Sequence, residues 1–148
     1  MTDYSILNEQ LLQITQGVPH RIANLANASA LLFQTLEHLN WAGFYILEED
    51  KLVLGPFQGK VACIEIPVGK GVCGSAVAQN NTLVVDNVHN FQGHIACDSN
   101  SLSEIVIPIH KGGKVVGVLD IDSPIEKRFS KEDRFGLEQF VNIIETIW

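Results

Sequence analysis

The sequence predicts a single α+β domain over residues 1–148, built on a largely antiparallel sheet with helices packed on one face. Three observations lead there. Apolar residues recur at helical spacing near both ends of the chain, in 5–16, in 20–38 and from Ser130 to the C-terminus. Between those stretches, short β-branched and aromatic runs follow one another, joined mostly by turn-forming residues. The length of 148 residues suits one domain, and a chain of that size buries roughly 70% of the surface it exposes when unfolded.

Taken in order, 5–16 reads as a helix, and 20–38 as a second with Ile22, Leu25, Ala26, Ser29, Leu32, Phe33 and Leu36 on its core stripe. WAGFYILEE (41–49) has strand-forming residues, EDK turns the chain, and LVLGPF (52–57) returns as the second strand of a hairpin. KVACIEIPVG (60–69) alternates in strand fashion through Val61 and Cys63 until Pro67 limits it. A short helix is expected from near Val72, after a glycine-punctuated stretch. TLVVD (82–86) is a buried strand by its β-branched content. Residues 87–103 show no usable period, and an aperiodic stretch that long inside a compact domain points to function. EIVIPIHKGGKVVGVLDID reads as two strands joined by a turn at Lys111 to Gly113. Ser130, with Asp133 three residues later, caps the amphipathic C-terminal helix.

Composition narrows the function classes. Net charge is -7 and the isoelectric point is near 5.1, which argues against a nucleic-acid backbone as partner. No apolar run approaches the roughly 18 residues of a membrane span, and the polar N-terminus MTDYSILNEQ predicts no secretion signal. A soluble, cytoplasmic protein without a membrane partner is expected. In that setting three cysteines are an odd number for a disulfide framework, which leaves core packing, metal binding or thiol chemistry. Spacing weighs against a Cys₃His zinc site completed by His89 or His94, because the cysteines include no close CxxC pair, and no metal is expected.

Cys97 lies in the aperiodic loop, where a rigid sheet can present a reactive group. His94 and Asp98 stand close enough in sequence to tune its thiolate in opposite directions. Cys73 falls at the expected helix start, where the dipole favours a thiolate. Cys63, in an alternating strand, reads by itself as a packed side chain. Glu104 opens a strand, Asp86 closes one, and Asp120 and Asp122 are two residues apart, on one face of another. Brought together, these strand ends would make an acidic pocket that suits an ammonium group and raises at least one carboxyl pKa. Trp41 and Tyr45 share strand parity and could line a wall of that pocket, whereas Phe44 belongs to the core.

The stretches KVACIEIPVGKGVCGSA, HIACDSNSLSEIVIPI and VLDIDSP, with cysteines at 63, 73 and 97, closely resemble the free methionine-(R)-sulfoxide reductases, a family of GAF-domain proteins. The similarity runs from about Asn40 to Phe129. The resemblance implies a GAF-like fold and a thioredoxin-dependent oxidoreductase, active in repair of oxidative damage, that returns free methionine-(R)-S-oxide to methionine. It makes Cys97 the catalytic cysteine, which becomes a sulfenic acid and then a redox-active disulfide. Cys63 becomes the principal resolving cysteine and Cys73 an auxiliary partner. Glu104, Asp120 and Asp122, with Asp86 nearby, would hold the substrate ammonium and assist protonation, and Trp41 and Tyr45 would contact the methylthio end. No metal or organic cofactor is implied, and a homodimer is. The competing function is a non-catalytic GAF-type sensor of ligand or redox state, which would form a disulfide without turning over methionine sulfoxide.

Overall fold

In the computed structural model, which describes residues 1–95, 97 and 99–148, the strands are β1 (Trp41–Glu48), β2 (Lys51–Gly59), β3 (Glu65–Pro67), β4 (Leu83–Val85), β5 (Ser103–Lys111) and β6 (Lys114–Ser123). They form one sheet in the order β3-β2-β1-β6-β5-β4, and every neighbouring pair is antiparallel. Hairpins account for most of that order. The β5–β6 turn consists of Gly112 and Gly113, with φ of 61° and 78°, the left-handed backbone that a two-residue hairpin of matching twist requires.

Helices α1 (Tyr4–Thr15), α2 (Arg21–Thr35) and α4 (Lys131–Ile147) pack on one face of the sheet. Leu137, Phe140, Val141 and Ile144 of α4 recur at the spacing of one helical stripe and meet Phe44, Ile105, Ile107, Leu119 and Ile121 from the strands. Burial of each such side chain contributes about 1.5–3 kcal/mol. Ser130 caps α4 through a complete capping box with Asp133, and Asp133 also accepts the Tyr4 hydroxyl at 2.6 Å, which ties α1 to the start of α4.

The fourth helix, α3 (Gly71–Gln79), lies on the opposite face. There Val72, Cys73 and Ala76 pack with Trp41, Tyr45, Val106 and Val118. Strand parity therefore sorts each central strand in two: Ala42 and Phe44, Ile105 and Ile107, and Leu119 and Ile121 face the three-helix layer, while Trp41 and Tyr45, Val106, and Val118 face α3.

Two expectations need correction. The buried face of α2 is Asn24, Leu25, Ala28, Ser29, Leu31 and Leu32, while Ile22, Ala26 and Phe33 are exposed. Asn24 joins the buried face because it donates to the Val18 carbonyl at 2.9 Å, and Ser29, already on the expected stripe, donates to those of Leu25 and Pro56. Residues 60–64 are not part of a strand. Only Glu65–Pro67 pairs with β2, and Cys63 is diverted towards the α3 face, where Tyr45 holds its carbonyl and a disulfide holds its side chain.

Gly43 permits a close approach of β1 and β2, since a Cβ there would stand 2.3 Å from Phe57 Cβ and 2.7 Å from its Cα. Relief would require the backbone to move. Gly43→Ala is expected to lose about 1–3 kcal/mol, a fall of roughly 2–10 °C in thermal midpoint for a domain of this size; an unchanged midpoint by calorimetry would contradict this strand register.

Candidate active site

The α3 face of the sheet carries a cleft open to solvent. β1 supplies Trp41 and Tyr45 to it, β5 Glu104, β6 Asp120 and Asp122, and α3 Cys73. Register brings the carboxyls together: Glu104 stands opposite Asp122 across the β5–β6 ladder, and Asp120 lies one pleat further along opposite Val106. Two loops form the mouth, 60–64 with Cys63 and the aperiodic segment with His94 and Cys97.

Cys63 and Cys97 are joined as a disulfide, with Cα atoms 5.6 Å apart, across 34 residues of sequence. Cys73 is the free cysteine among the described residues and is buried. The expectation that its helix position favours a thiolate fails here. Burial pushes its pKa well up, and Asp120, Glu104 and Asp122 push the same way, so the thiol stays protonated. In the disulfide-bonded protein, intact-mass analysis is expected to find no iodoacetamide adduct under native conditions, one after denaturation and three after reduction; labelling of two or more sites in the native protein would contradict the pairing.

The carboxyls are perturbed for the same reasons. Burial raises Glu104 well above the usual carboxylate range, and the nearby Asp120 and Asp122 add to the shift. Asp120 is raised by burial, which hydrogen bonds from Glu104 and Cys73 only partly offset, and its Oδ1 has no hydrogen-bond partner among the described residues. No Lys or Arg lines the cleft among the described residues. The site can therefore hold a proton on Glu104 near neutrality and attract a cation.

The aromatic wall is built as a stack. Trp41 lies between Phe57, at a ring-centroid distance of 5.1 Å, and Tyr45, at 5.9 Å. Its indole N–H donates to the Lys60 carbonyl at 3.2 Å, and the Tyr45 hydroxyl donates to the Cys63 carbonyl at 2.9 Å. Both aromatics thus anchor the loop that carries Cys63.

The remaining candidates divide. His94 lines the cleft, but burial and the neighbouring His89 lower its pKa, so it is a poor source of the positive charge expected to assist a thiolate. Asp98 lies outside the described residues. Asp86 is exposed and lines a separate hollow with Asn87, Glu126 and Lys127, because it follows the inward Val85 by one residue and so has the opposite parity. Ser101 was not anticipated: it lines the cleft and accepts the Asn40 side-chain amide at 2.9 Å, and nothing in its aperiodic surroundings marks it beforehand. The Cys₃His arrangement weighed from the cysteine count would need Cys63 and Cys97 as ligands, and here they are bonded to each other.

A model of the GAF domain family matches residues 9–148. The chain is 53% identical to the free methionine-R-sulfoxide reductase of Escherichia coli over 144 residues, 97% of this chain and 87% of that protein. The chain belongs to the free methionine-R-sulfoxide reductases of the GAF family. Solved structures of this family agree in backbone. The fRMsr of Staphylococcus aureus in complex with its substrate superimposes with a TM-score of 0.95 at 53% identity, covering 99% of this chain and 96% of that one. The free methionine-R-sulfoxide reductase of Neisseria meningitidis, also in complex with its substrate, does so with a TM-score of 0.94 at 40% identity, covering 97% and 87%. In GAF terms, the cleft occupies the sheet face away from the N- and C-terminal helices, and the start of α3 borders it. No helix among the described residues is long and apolar enough to cross a membrane.

Proposed function

We propose that this protein reduces free methionine-(R)-S-oxide to methionine, with Cys97 as nucleophile, Cys63 as resolving cysteine and Glu104 as acid. One observation carries the reading: a cystine of Cys63 and Cys97 stands at the mouth of a cleft that combines buried carboxyls with an aromatic wall and lacks Lys and Arg among the described residues. The relatives named for this reaction, at up to 53% identity over nearly the whole chain, support it.

In the reduced enzyme the Cys97 thiolate attacks the sulfoxide sulfur while Glu104 donates its proton to the sulfoxide oxygen, without which that sulfur is a poor electrophile. In the adduct so formed the hydroxyl passes from the substrate sulfur to Cys97 Sγ: the substrate S–O bond and the transient Sγ–S bond break as an Sγ–O bond forms, methionine leaves with the electron pair restored to its sulfur, and Cys97 is left as a sulfenic acid. The Cys63 thiol then displaces that oxygen as water and closes the disulfide. An external dithiol returns both thiols by exchange, itself becoming a disulfide; thioredoxin is the reductant we propose. No metal or organic cofactor enters this balance.

Asp120 and Asp122 bind the substrate α-ammonium, and the orphaned Asp120 Oδ1 is a ready acceptor for it. This clamp selects the free amino acid, because a peptide-linked residue has no ammonium to satisfy the carboxylates. For the substrate carboxylate, the 69–74 stretch narrows to the first turn of α3. Gly69, Lys70, Gly71 and Gly74 already donate their N–H groups to backbone carbonyls, which leaves those of Val72 and Cys73, at the positive end of the helix. Trp41 and Tyr45 receive the methylthio end.

Turnover of the separated R and S epimers of free methionine sulfoxide with a thioredoxin system tests this reading. Consumption of the R epimer alone is expected, and no turnover of either by folded, reduced protein would favour the sensor. Tyr45→Phe should slow closure of the disulfide about 10-fold by freeing the Cys63 loop, a loss of roughly 1.4 kcal/mol. Sulfenic acid should then build up in single turnover, trapped by dimedone; unchanged closure would confine Tyr45 to packing. We also propose a homodimer in the cytoplasm, with the exposed Ile6 and Leu12 of α1 and Phe135 of α4 as candidate contacts.

A further inference from the structure

The cleft floor holds a set of donors that the proposed redox cycle leaves intact. Cys73 Sγ and one carboxylate oxygen each from Glu104 and Asp120 lie within 4.8 Å of one another, and all three residues are buried. Cys73 stands outside the disulfide, so its sulfur is available as a donor while Cys63 and Cys97 are bonded to each other. A second observation concerns Asp120, which is 6% exposed yet has an Oδ1 without a hydrogen-bond partner among the described residues. An orphaned buried carboxylate oxygen is costly, and it marks a place that receives a positive group.

A thiolate beside two carboxylates is a donor set that zinc and cadmium accept. With metal–sulfur bonds of about 2.3 Å and metal–oxygen bonds of about 2.0–2.2 Å, donors on one tetrahedral ion stand about 3.4–3.6 Å apart. Donors already within 4.8 Å reach that spacing by small side-chain rotations. The open side of such an ion faces the cleft.

We infer that Cys73, Glu104 and Asp120 form a site for a thiophilic divalent cation, Zn²⁺ or Cd²⁺, whose occupancy excludes the amino-acid substrate. One metal–sulfur and two metal–oxygen bonds form, protons held by the thiol and the carboxyls go to solvent, and no electron is transferred. Water fills the fourth position. The exclusion rests on the reading that Asp120 takes the substrate ammonium; the metal site does not.

The test uses the Cys63→Ser/Cys97→Ser protein, in which Cys73 is the only thiol and turnover is blocked. Titration with Cd²⁺ is expected to produce a thiolate-to-cadmium charge-transfer band that saturates at one equivalent, and methionine-(R)-sulfoxide should weaken Cd²⁺ binding in proportion to its concentration. Further substitution of Cys73→Ser should abolish the band, and Asp120→Asn should weaken binding about 10-fold or more, with retention of the near-ultraviolet signal of Trp41 and Tyr45 as the check on folding. Absence of the band in the folded double variant, or its survival without Cys73, would overturn the site. Tight Cd²⁺ binding that the sulfoxide leaves unchanged would overturn the exclusion, and the epimer assay on wild-type protein judges the reductase reading separately.

Discussion

Replacing Cys97 with serine is expected to lower kcat/KM for methionine-(R)-sulfoxide by more than about 10³-fold, because no other thiol can take its part. Cys73 is buried and held in its protonated form by the surrounding carboxyls, and Cys63 sits in the opposite loop. Cys63→Ser should behave differently. Its first turnover should release one methionine per chain at close to the wild-type rate and leave a sulfenic acid on Cys97, after which the cycle stalls unless a small dithiol intercepts that acid. The burst amplitude of methionine measured by rapid quench separates the two variants. Equal bursts from both would remove Cys97 from the role of nucleophile, and absence of a burst from Cys63→Ser would exchange the two roles.

Glu104→Gln is expected to lower kcat/KM about 10²–10⁴-fold, the usual loss on removal of a general acid, and at the same time to raise stability at neutral pH. The sign follows from linkage. Glu104 binds its proton more tightly in the folded protein than in the unfolded chain, so folding is progressively disfavoured as pH rises from the unfolded value towards the raised folded one. Glutamine keeps the shape and one donor but has no proton to lose. The variant should therefore gain about 1–2 kcal/mol near neutrality, roughly 2–8 °C in midpoint, and this advantage should shrink as the pH is lowered towards 4. Its activity should also lack the alkaline decline expected of wild type as Glu104 ionises. Paired melting curves and kcat/KM profiles across pH check both halves. A variant that loses activity without gaining stability would mean that Glu104 is not buried as a strained acid.

Much of this site was legible from period two alone. Asp120 and Asp122 share a face because they are two residues apart, Trp41 and Tyr45 because they are four apart, and the β5–β6 hairpin sets Glu104 opposite Asp122 once its turn is fixed at Gly112 and Gly113. Residues whose direction depends on tertiary contacts were not legible. Alternation through 60–67 suggested a strand containing Cys63, yet a side-chain hydrogen bond from Tyr45 and a covalent link to a loop 34 residues away override that propensity. Residue type groups Asp86 with the other strand-end carboxylates, and a single step of parity sends it elsewhere. Likewise the expected α2 stripe includes Ser29 but passes over Asn24, which the helix buries because its side chain finds the Val18 carbonyl. The place of α3 opposite the other helices follows from the crossover between β3 and β4, which no local pattern records.

The central strands separate the three-helix layer from the cleft by the thickness of one sheet, so adjacent residues answer to different selective demands. Along β5, Ile105 and Ile107 serve folding while Glu104 serves the cleft; along β6, Leu119 and Ile121 serve folding while Asp120 and Asp122 serve the cleft. A saturation library scored once for abundance and once for growth on methionine sulfoxide should return two tolerance profiles along 104–107 and 118–122 that oscillate out of step. The positions that evolution can spare for a new ligand are then every second residue, and any insertion that shifts the register by one would turn the carboxyls into the helix layer and the isoleucines into the cleft.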